Sequence, residues 1–336
     1  MRPTTTGPVA PRPLPVQRAL FDIPDDVAYF NCASLAPQLE AARQAAEVAW
    51  RRRARPWLVG SDDWFTEAEE RRTLFARRTG ATVAAVGRQD GQPWAEAVLD
   101  ALDERTAVVA VLAVHWTDGA VVELGAVATG ARAVGAALVV DASQALGAMP
   151  LDLAAVQPDY LVSVGYKWLL GPFGLGYLYV APQHRDGVPL EENWISRLGA
   201  QDFARLVDYE DRYQPGARRF DVGQRSHFET TPMAIVALRQ LLEWGVPRIA
   251  ATLQRTTGRI EQEVQAMGLS LTSRDRGPHM LGVRLPAPAR RRGAAALAGA
   301  NVFAGVRGAS LRVSPHLWTT DQDVDRLVAA LTDALS

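Results

Sequence analysis

The stretch Val139–Val180, VVDASQALGAMPLDLAAVQPDYLVSVGYKWLLGPFGLGYLYV, decides how this chain is read. Three short apolar runs lie in it or overlap it, Ala137 to Val140, Tyr160 to Val164 and Gly176 to Val180, each bounded by Gly, Pro or Asp. Runs of that length with such borders predict strands buried on both faces. Asp141 follows the first run directly, and Lys167 follows the second after Gly165 and Tyr166. Open α/β sheets bind ligands outside the carboxyl ends of their strands, so the carboxylate and the amine are expected at one cleft. Alone, Asp141 reads as a helix cap and Lys167 as a solvated loop residue. As a pair, flanked by glycines and aromatics, they point to a site.

At 336 residues the chain exceeds the roughly 250 to 300 at which single cores stop growing, which predicts one large domain and one smaller. Lys plus Arg total 36 against 37 Asp plus Glu, a balance that argues against nucleic acid or a membrane surface as partner and for a small-molecule substrate. The single cysteine, Cys32, excludes an internal disulfide and a thiolate zinc cluster, and predicts a cytoplasmic protein. No apolar run approaches the length of about 18 residues that a membrane helix needs. Met1 to Gln17, rich in Pro and Thr without an apolar segment, reads as a flexible tail.

DASQALG, SVGYKW and GPFGLGYLYV together resemble the fold-type I pyridoxal phosphate enzymes of the class V aminotransferase family, which includes cysteine desulfurases, kynureninases and an epimerase. The resemblance implies an α/β fold, a mainly parallel sheet flanked by helices plus a smaller C-terminal α/β domain. It divides the chain into a tail over 1–17, a large cofactor-binding domain over 18–235 and a small domain over 236–336. It implies pyridoxal 5′-phosphate as cofactor, joined to Lys167 as a Schiff base, with Asp141 at the pyridine nitrogen. Gln144 would lie near the cofactor's phenolic oxygen, and Ser163 and Tyr166 would offer hydroxyls to its phosphate.

Further matches extend the site. The run AVVAVLAV after Thr106 predicts a fully buried strand, and in the HWTDG that follows, the resemblance assigns His115, Thr117 and Asp118 to the cofactor. Read without it, His115 is a strand-end histidine and TDG a turn. Thr231 matches a threonine that reaches the phosphate of the other subunit, implying a homodimer with a shared active site; a Thr there serves equally as a helix N-cap. Arg312, in LRVSPHLW, matches an arginine that binds the substrate carboxylate through paired charge-assisted hydrogen bonds. Asn31 would lie near substrate, or satisfies its own backbone in a turn.

The chain also departs from the family. Helices are expected over 38–53 and 64–78, but after Ala81 a strand–helix–strand block is absent, including the helix N-terminus that receives the phosphate. TVAAVGRQDGQPWAEAVLDAL resembles the strand and helix beyond that block. Helices over 124–134 and from near Pro232 to Trp244, strands in MLGVRLP and ASLRVSPHLW, and an amphipathic helix in DQDVDRLVAALTDAL complete the expected order. The function implied is chemistry at the α-carbon of an amino acid through Lys167, by an aminotransferase, epimerase or lyase. A desulfurase, which needs a thiol in its C-terminal half, is disfavoured because Cys32 lies near the start. The alternative is a non-catalytic relative that has lost its phosphate-binding segment and acts as a binding or dimerising protein.

Overall fold

The computed structural model describes residues 18–24, the helical positions 40, 41, 44, 47, 48 and 51, and residues 82–89, 91–189, 191–228 and 230–335. Asn31 and most of the helices expected over 38–53 and 64–78 lie outside the described residues. The chain divides into two compact units, Met1–Ala85 and Val86–Ser336. In the first, the described residues include a 3-10 turn at Arg18–Leu20.

The second unit contains two four-stranded sheets, each with its own hydrophobic core. It opens with α1 (Trp94–Asp100), β1 (Val108–Leu112), α2 (Leu124–Ala133), β2 (Ala137–Asp141), α3 (Leu153–Val156), β3 (Tyr160–Val164) and β4 (Gly176–Val180). Strands β1, β2 and β3 run parallel in that spatial order, and β4 closes the row antiparallel to β3. Local chemistry explains the connections. The Glu123 carboxylate accepts the Gly125 N–H at the start of α2, and Gly135, at φ 74°, ends the helix. There the Ala136 N–H reaches the Ala131 carbonyl at 2.9 Å, the bond that closes a left-handed helix cap. Asp152 caps α3 by accepting from Ala154 and Ala155.

A run of 3-10 turns follows, Pro182–His184, Trp194–Ser196, Phe203–Arg205 and Gly216–Phe220. Helices α4 (Thr230–Trp244) and α5 (Val246–Ala266) lead to the second sheet. It is built from β5 (Ser270–Leu271), β6 (Leu281–Arg284), β7 (Gly305–Arg307) and β8 (Ser310–Val313), with α6 (Ala287–Gly299) and α7 (Asp321–Leu335) in the same segment. Its order is β5-β6-β8-β7, antiparallel throughout. Thr320 and Asp323 form a reciprocal box at the start of α7, each side chain accepting the other's N–H. Val324, Leu327, Ala330, Leu331 and Ala334 are the buried residues of that amphipathic helix.

Two expectations are corrected. The strands of the first sheet are not buried on both faces. Val109, Leu138, Val140 and Leu161 are buried in the core with Val127, Ala128 and Ala131 of α2. On the opposite face Val108 is 58% exposed, Leu178 43% and Val162 36%. Side chains alternate along a strand, so an all-apolar run does not reveal whether its second face is covered. Residues 82–89 form no strand either; Val83 is exposed and no partner strand receives the segment.

Candidate functional site

Parallel pairing of β2 with β3 in the register Asp141↔Val162 brings the carboxyl ends of the two strands together. Asp141 ends β2, and its Oδ1 accepts the Ser143 N–H at 2.8 Å. The Ser143 hydroxyl accepts the Val164 N–H at 3.1 Å, which ties the turn after β2 to the end of β3. Lys167 follows three residues later on a turn closed by hydrogen bonds from Leu170 N–H to its carbonyl and from Gly171 N–H to that of Gly165. Leu170 sits at φ 54°, uncommon for a bulky residue and held by that turn.

Lys167 is the only lysine of the chain; the other 35 basic residues of this type are arginines. Burial disfavours its ammonium form, Asp141 favours it and Arg312 opposes it, and the net effect lowers the amine below the ordinary lysine range. The amine faces a cleft of about 440 Å³ whose lining includes Gln144, Trp116, Trp168 and Arg312. Gln144 Oε1 accepts the Trp168 indole N–H at 2.8 Å, leaving the amide N–H groups of Gln144 as its free polar end. The arrangement needs Gly147: at φ 91°, a Cβ there would stand 2.3 Å from the Trp168 carbonyl oxygen.

Arg312, on β8, donates from Nη1 to the Trp116 carbonyl at 2.8 Å. That bond joins the second sheet to the loop after β1. Gly119, at φ 77°, makes the same junction close, since a Cβ would meet the Met280 carbonyl oxygen at 2.6 Å. Burial first and the neighbouring Arg307 second disfavour the charge on Arg312.

The loop after β1 holds a second group of charges. Asp118, 5% exposed, accepts from Arg88 at 2.9 Å, pairs with His115 Nδ1 at 2.9 Å and takes the Ala120 N–H. Burial would raise its carboxyl, but these bonds outweigh it and hold the group below the usual carboxylate range. The Thr117 hydroxyl lies 2.7 Å from the same His115 nitrogen. Trp94 packs against His115 with ring centres 4.8 Å apart and planes tilted by 39°, and Arg88 lies over Trp94 at the same distance.

The structure therefore gathers Lys167, Gln144 and Arg312 at one cleft, with Asp141 close enough to act on the lysine. Ser163 is buried on β3 with its hydroxyl on the Val164 carbonyl. Tyr166 is exposed against Phe173, its ring 5.9 Å from the lysine nitrogen. Thr231 lies inside the first turn of α4, which starts one residue earlier. Several cleft residues escaped the sequence reading, among them Arg307, His316 and Trp318. Arg307 and Trp318 line the cleft, and His316, 3% exposed, stacks on Trp318 at 4.5 Å with neither ring nitrogen hydrogen-bonded. One compositional signal was available and unread, the solitary lysine.

Among the described residues no group of side chains fits a metal ion, and no helix is long and apolar enough to cross a membrane. The aminotransferase class-V pattern matches residues 72–327. An uncharacterized aminotransferase, YcbU of Bacillus subtilis, is 28% identical over 72% of this chain and 64% of its own. A probable cysteine desulfurase of Streptomyces coelicolor is 27% identical over 77% of this chain and 64% of its own. Isopenicillin N epimerase of Streptomyces clavuligerus is 28% identical over 90% and 80%. The chain thus spans 64% of the length of the first two of these relatives. Among solved structures, the cystine C–S lyase C-DES in complex with its product cysteine persulfide superposes with a TM-score of 0.68 at 19% identity, covering 78% of this chain and 71% of that one. Alanine–glyoxylate aminotransferase from Nostoc sp. gives 0.61 at 23%, over 80% and 72%. These likenesses show a fold-type I α/β architecture, and with the pattern match they establish that the chain belongs to the aminotransferase class-V family.

Proposed function

We propose that this protein is a pyridoxal phosphate-dependent enzyme acting at the α-carbon of an amino acid, as an aminotransferase, epimerase or lyase. The observation that carries the proposal is the solitary Lys167, half-buried and depressed in basicity, at the end of β3 with Asp141 at the end of β2. The family and the cofactor in a C-DES neighbour's structure imply pyridoxal 5′-phosphate.

The donor set suits that cofactor at two of its ends. An amine is needed at the aldehyde and a carboxylate at the ring nitrogen. Lys167 and Asp141 supply both, and a single backbone N–H on Asp141 Oδ1 leaves the other carboxylate oxygen for the ring. Ser163, Tyr166 and Thr231 are the residues proposed for the phosphate, and His115, Thr117 and Asp118 those proposed around the ring. When bound, pyridoxal phosphate supplies an aldehyde for the lysine amine and a ring that takes up the electron pair released at the α-carbon.

The protein's own groups do the rest. Lowered basicity keeps more of the Lys167 amine neutral near pH 7, where it can attack a carbonyl carbon or take a proton from the α-carbon. Arg312, its guanidinium fixed by the Trp116 carbonyl, turns its remaining N–H groups to the substrate carboxylate. Trp116, Trp168 and Met280 displace water from the cleft, which strengthens each polar contact there.

The reading extends to a homodimer in the cytoplasm, to a large domain over 18–235 and a small one over 236–336, and to a missing block after Ala81. These rest on the resemblance and on the single cysteine. Absorption spectroscopy after incubation with pyridoxal phosphate and gel filtration tests the central reading. A near-visible band present in wild type and absent from Lys167→Ala supports it. A folded, colourless wild type would leave the non-catalytic relative in its place.

A further inference from the structure

We infer that Arg307 makes the cleft a site for a substrate with two acidic groups, an amino acid whose side chain carries a second carboxylate or equivalent anion. This deepens the proposed function by naming the substrate class, and in that sense rests on it.

The argument begins with the pairing of β7 and β8. Gly305 faces Arg312 across the ladder, and Arg307 follows two residues along the same strand, on the same face. A Cβ built on Gly305 would lie 3.6 Å from the guanidinium carbon of Arg307 and 3.6 Å from Nη2 of Arg312. Two guanidinium groups therefore converge over one glycine, and both line the cleft that holds Lys167. The absence of a side chain at Gly305 leaves room between them.

Neither arginine has a carboxylate partner among the described residues. Arg307 Nη1 donates to the carbonyl of Val306, its own neighbour, at 2.9 Å, and Arg312 donates to the Trp116 carbonyl. Among the described residues no Asp or Glu lines the cleft. Arg88 and Arg276 by contrast have carboxylates, Asp118 and Glu261, whereas Arg132 and Arg185 rest on backbone carbonyls. Like charges held together without a counter-ion repel, and a ligand that brings the missing anions relieves that repulsion. With the α-carboxylate assigned to Arg312, Arg307 is left for a further anion. A second acidic group, at the distal end of the same molecule, satisfies Arg307. A neighbouring hollow of about 770 Å³ shares Arg312, Ser314 and Trp318 with the cleft, so space for an extended ligand is present.

The test uses ligand binding to the purified full chain, read by the fluorescence of Trp116, Trp168 and Trp318, and needs no turnover. Straight-chain dicarboxylates from malonate to adipate are titrated against monocarboxylates of equal carbon number. At least one dicarboxylate is expected to bind about tenfold more tightly than its partner, the gain from one added hydrogen bond to a charged group. Arg307→Gln should bring that dicarboxylate down to the monocarboxylate's affinity, Arg307→Lys should keep part of the preference, and Arg312→Gln should weaken both ligands. Arg307 is exposed and bonds only within its own strand, so the variants remain folded. Pyridoxal and pyridoxal phosphate form the second arm. If Arg307→Gln separates those two and leaves the carboxylates alone, the arginine belongs to the cofactor's phosphate and the inference is overturned. Equal affinity for mono- and dicarboxylates overturns it as well. A cofactor band without dicarboxylate preference would sink this inference alone, and preference without a band would sink the proposed function alone.

Discussion

Two groups of charge sit on either side of Trp116, and they are built on opposite principles. In the Arg88–His115–Asp118 group each ionisable side chain meets a partner at 2.9 Å, and the carboxylate takes a backbone N–H besides. In the cleft, Lys167, Arg307 and Arg312 stand together with no acidic residue among the described lining residues. The first group is complete in charge and holds the loop after β1 that presents the Trp116 carbonyl to Arg312; the ring contacts proposed for it need no unpaired charge. The second is incomplete in charge, which marks where a ligand is expected. Partnering separates a charge-satisfied cluster from one open to an anion better than residue type does, since both contain arginine.

The contrast can be broken in graded ways. Lys167→Ala should lower any pyridoxal phosphate-dependent turnover by on the order of 10³-fold or more, since it removes nucleophile and base together, with little change in the unfolding midpoint. Gly147→Ala should destabilise by about 3 kcal/mol or more, because the new methyl meets the Trp168 carbonyl oxygen in a left-handed conformation. Gly174→Ala, equally left-handed but with open space around it, should cost only about 1 kcal/mol; urea unfolding of the pair separates clash from strain.

Acid supplies the next test. His279, fully buried, donates from Nε2 to the Gln144 carbonyl at 2.6 Å, and burial pushes its imidazole down to about 4 from an ordinary 6.5. Above pH 6.5 the ring is neutral in both folded and unfolded chains. Between 6.5 and about 4 only the unfolded chain takes the proton, so stability falls by up to about 3 kcal/mol across that window. Urea unfolding at a series of pH values should show this slope in wild type and lose about one proton's worth of it in His279→Gln. Equal slopes would place the acid sensitivity elsewhere. The smallest effects sharpen the comparison itself. Arg88→Ala should cost about 2 kcal/mol by leaving the buried Asp118 short of a partner, whereas Arg312→Gln should stay within about 0.5 kcal/mol of wild type, because it removes a charge that repels its neighbours. If both arginines cost the same, the two groups are not different in kind.

Strands β2, β3 and β4 of the first sheet were legible because their apolar runs are bounded by Gly, Pro or Asp; the observed β2 differs from the expected run only by including Asp141. Helix α7 was legible in full from its apolar spacing, whereas the Thr320–Asp323 box at its start was not read. The exposed second face of that sheet was not, since Val108 and Val162 look the same in sequence whether or not something covers them. Residues 82–89 carry strand-like composition, but a strand exists only when another pairs with it. At the site, Lys167, Gln144 and Arg312 were readable from motifs around them, and they share the cleft. Arg307 was not, because GVRG holds no signal until β7 pairs with β8 and turns a lone arginine into the neighbour of another. His316 was quoted within LRVSPHLW, yet only the stacking of Trp318 and the position of Trp168 show it as a buried wall of the cleft.

The solitary lysine allows the central claim to be tested by mass alone. The purified chain is incubated with pyridoxal phosphate, reduced with borohydride and weighed intact, beside Lys167→Arg. The account predicts one phosphopyridoxyl adduct per chain in wild type and none in the variant. An unmodified wild type, or an adduct that persists in Lys167→Arg and so sits on the terminal amine, would contradict it.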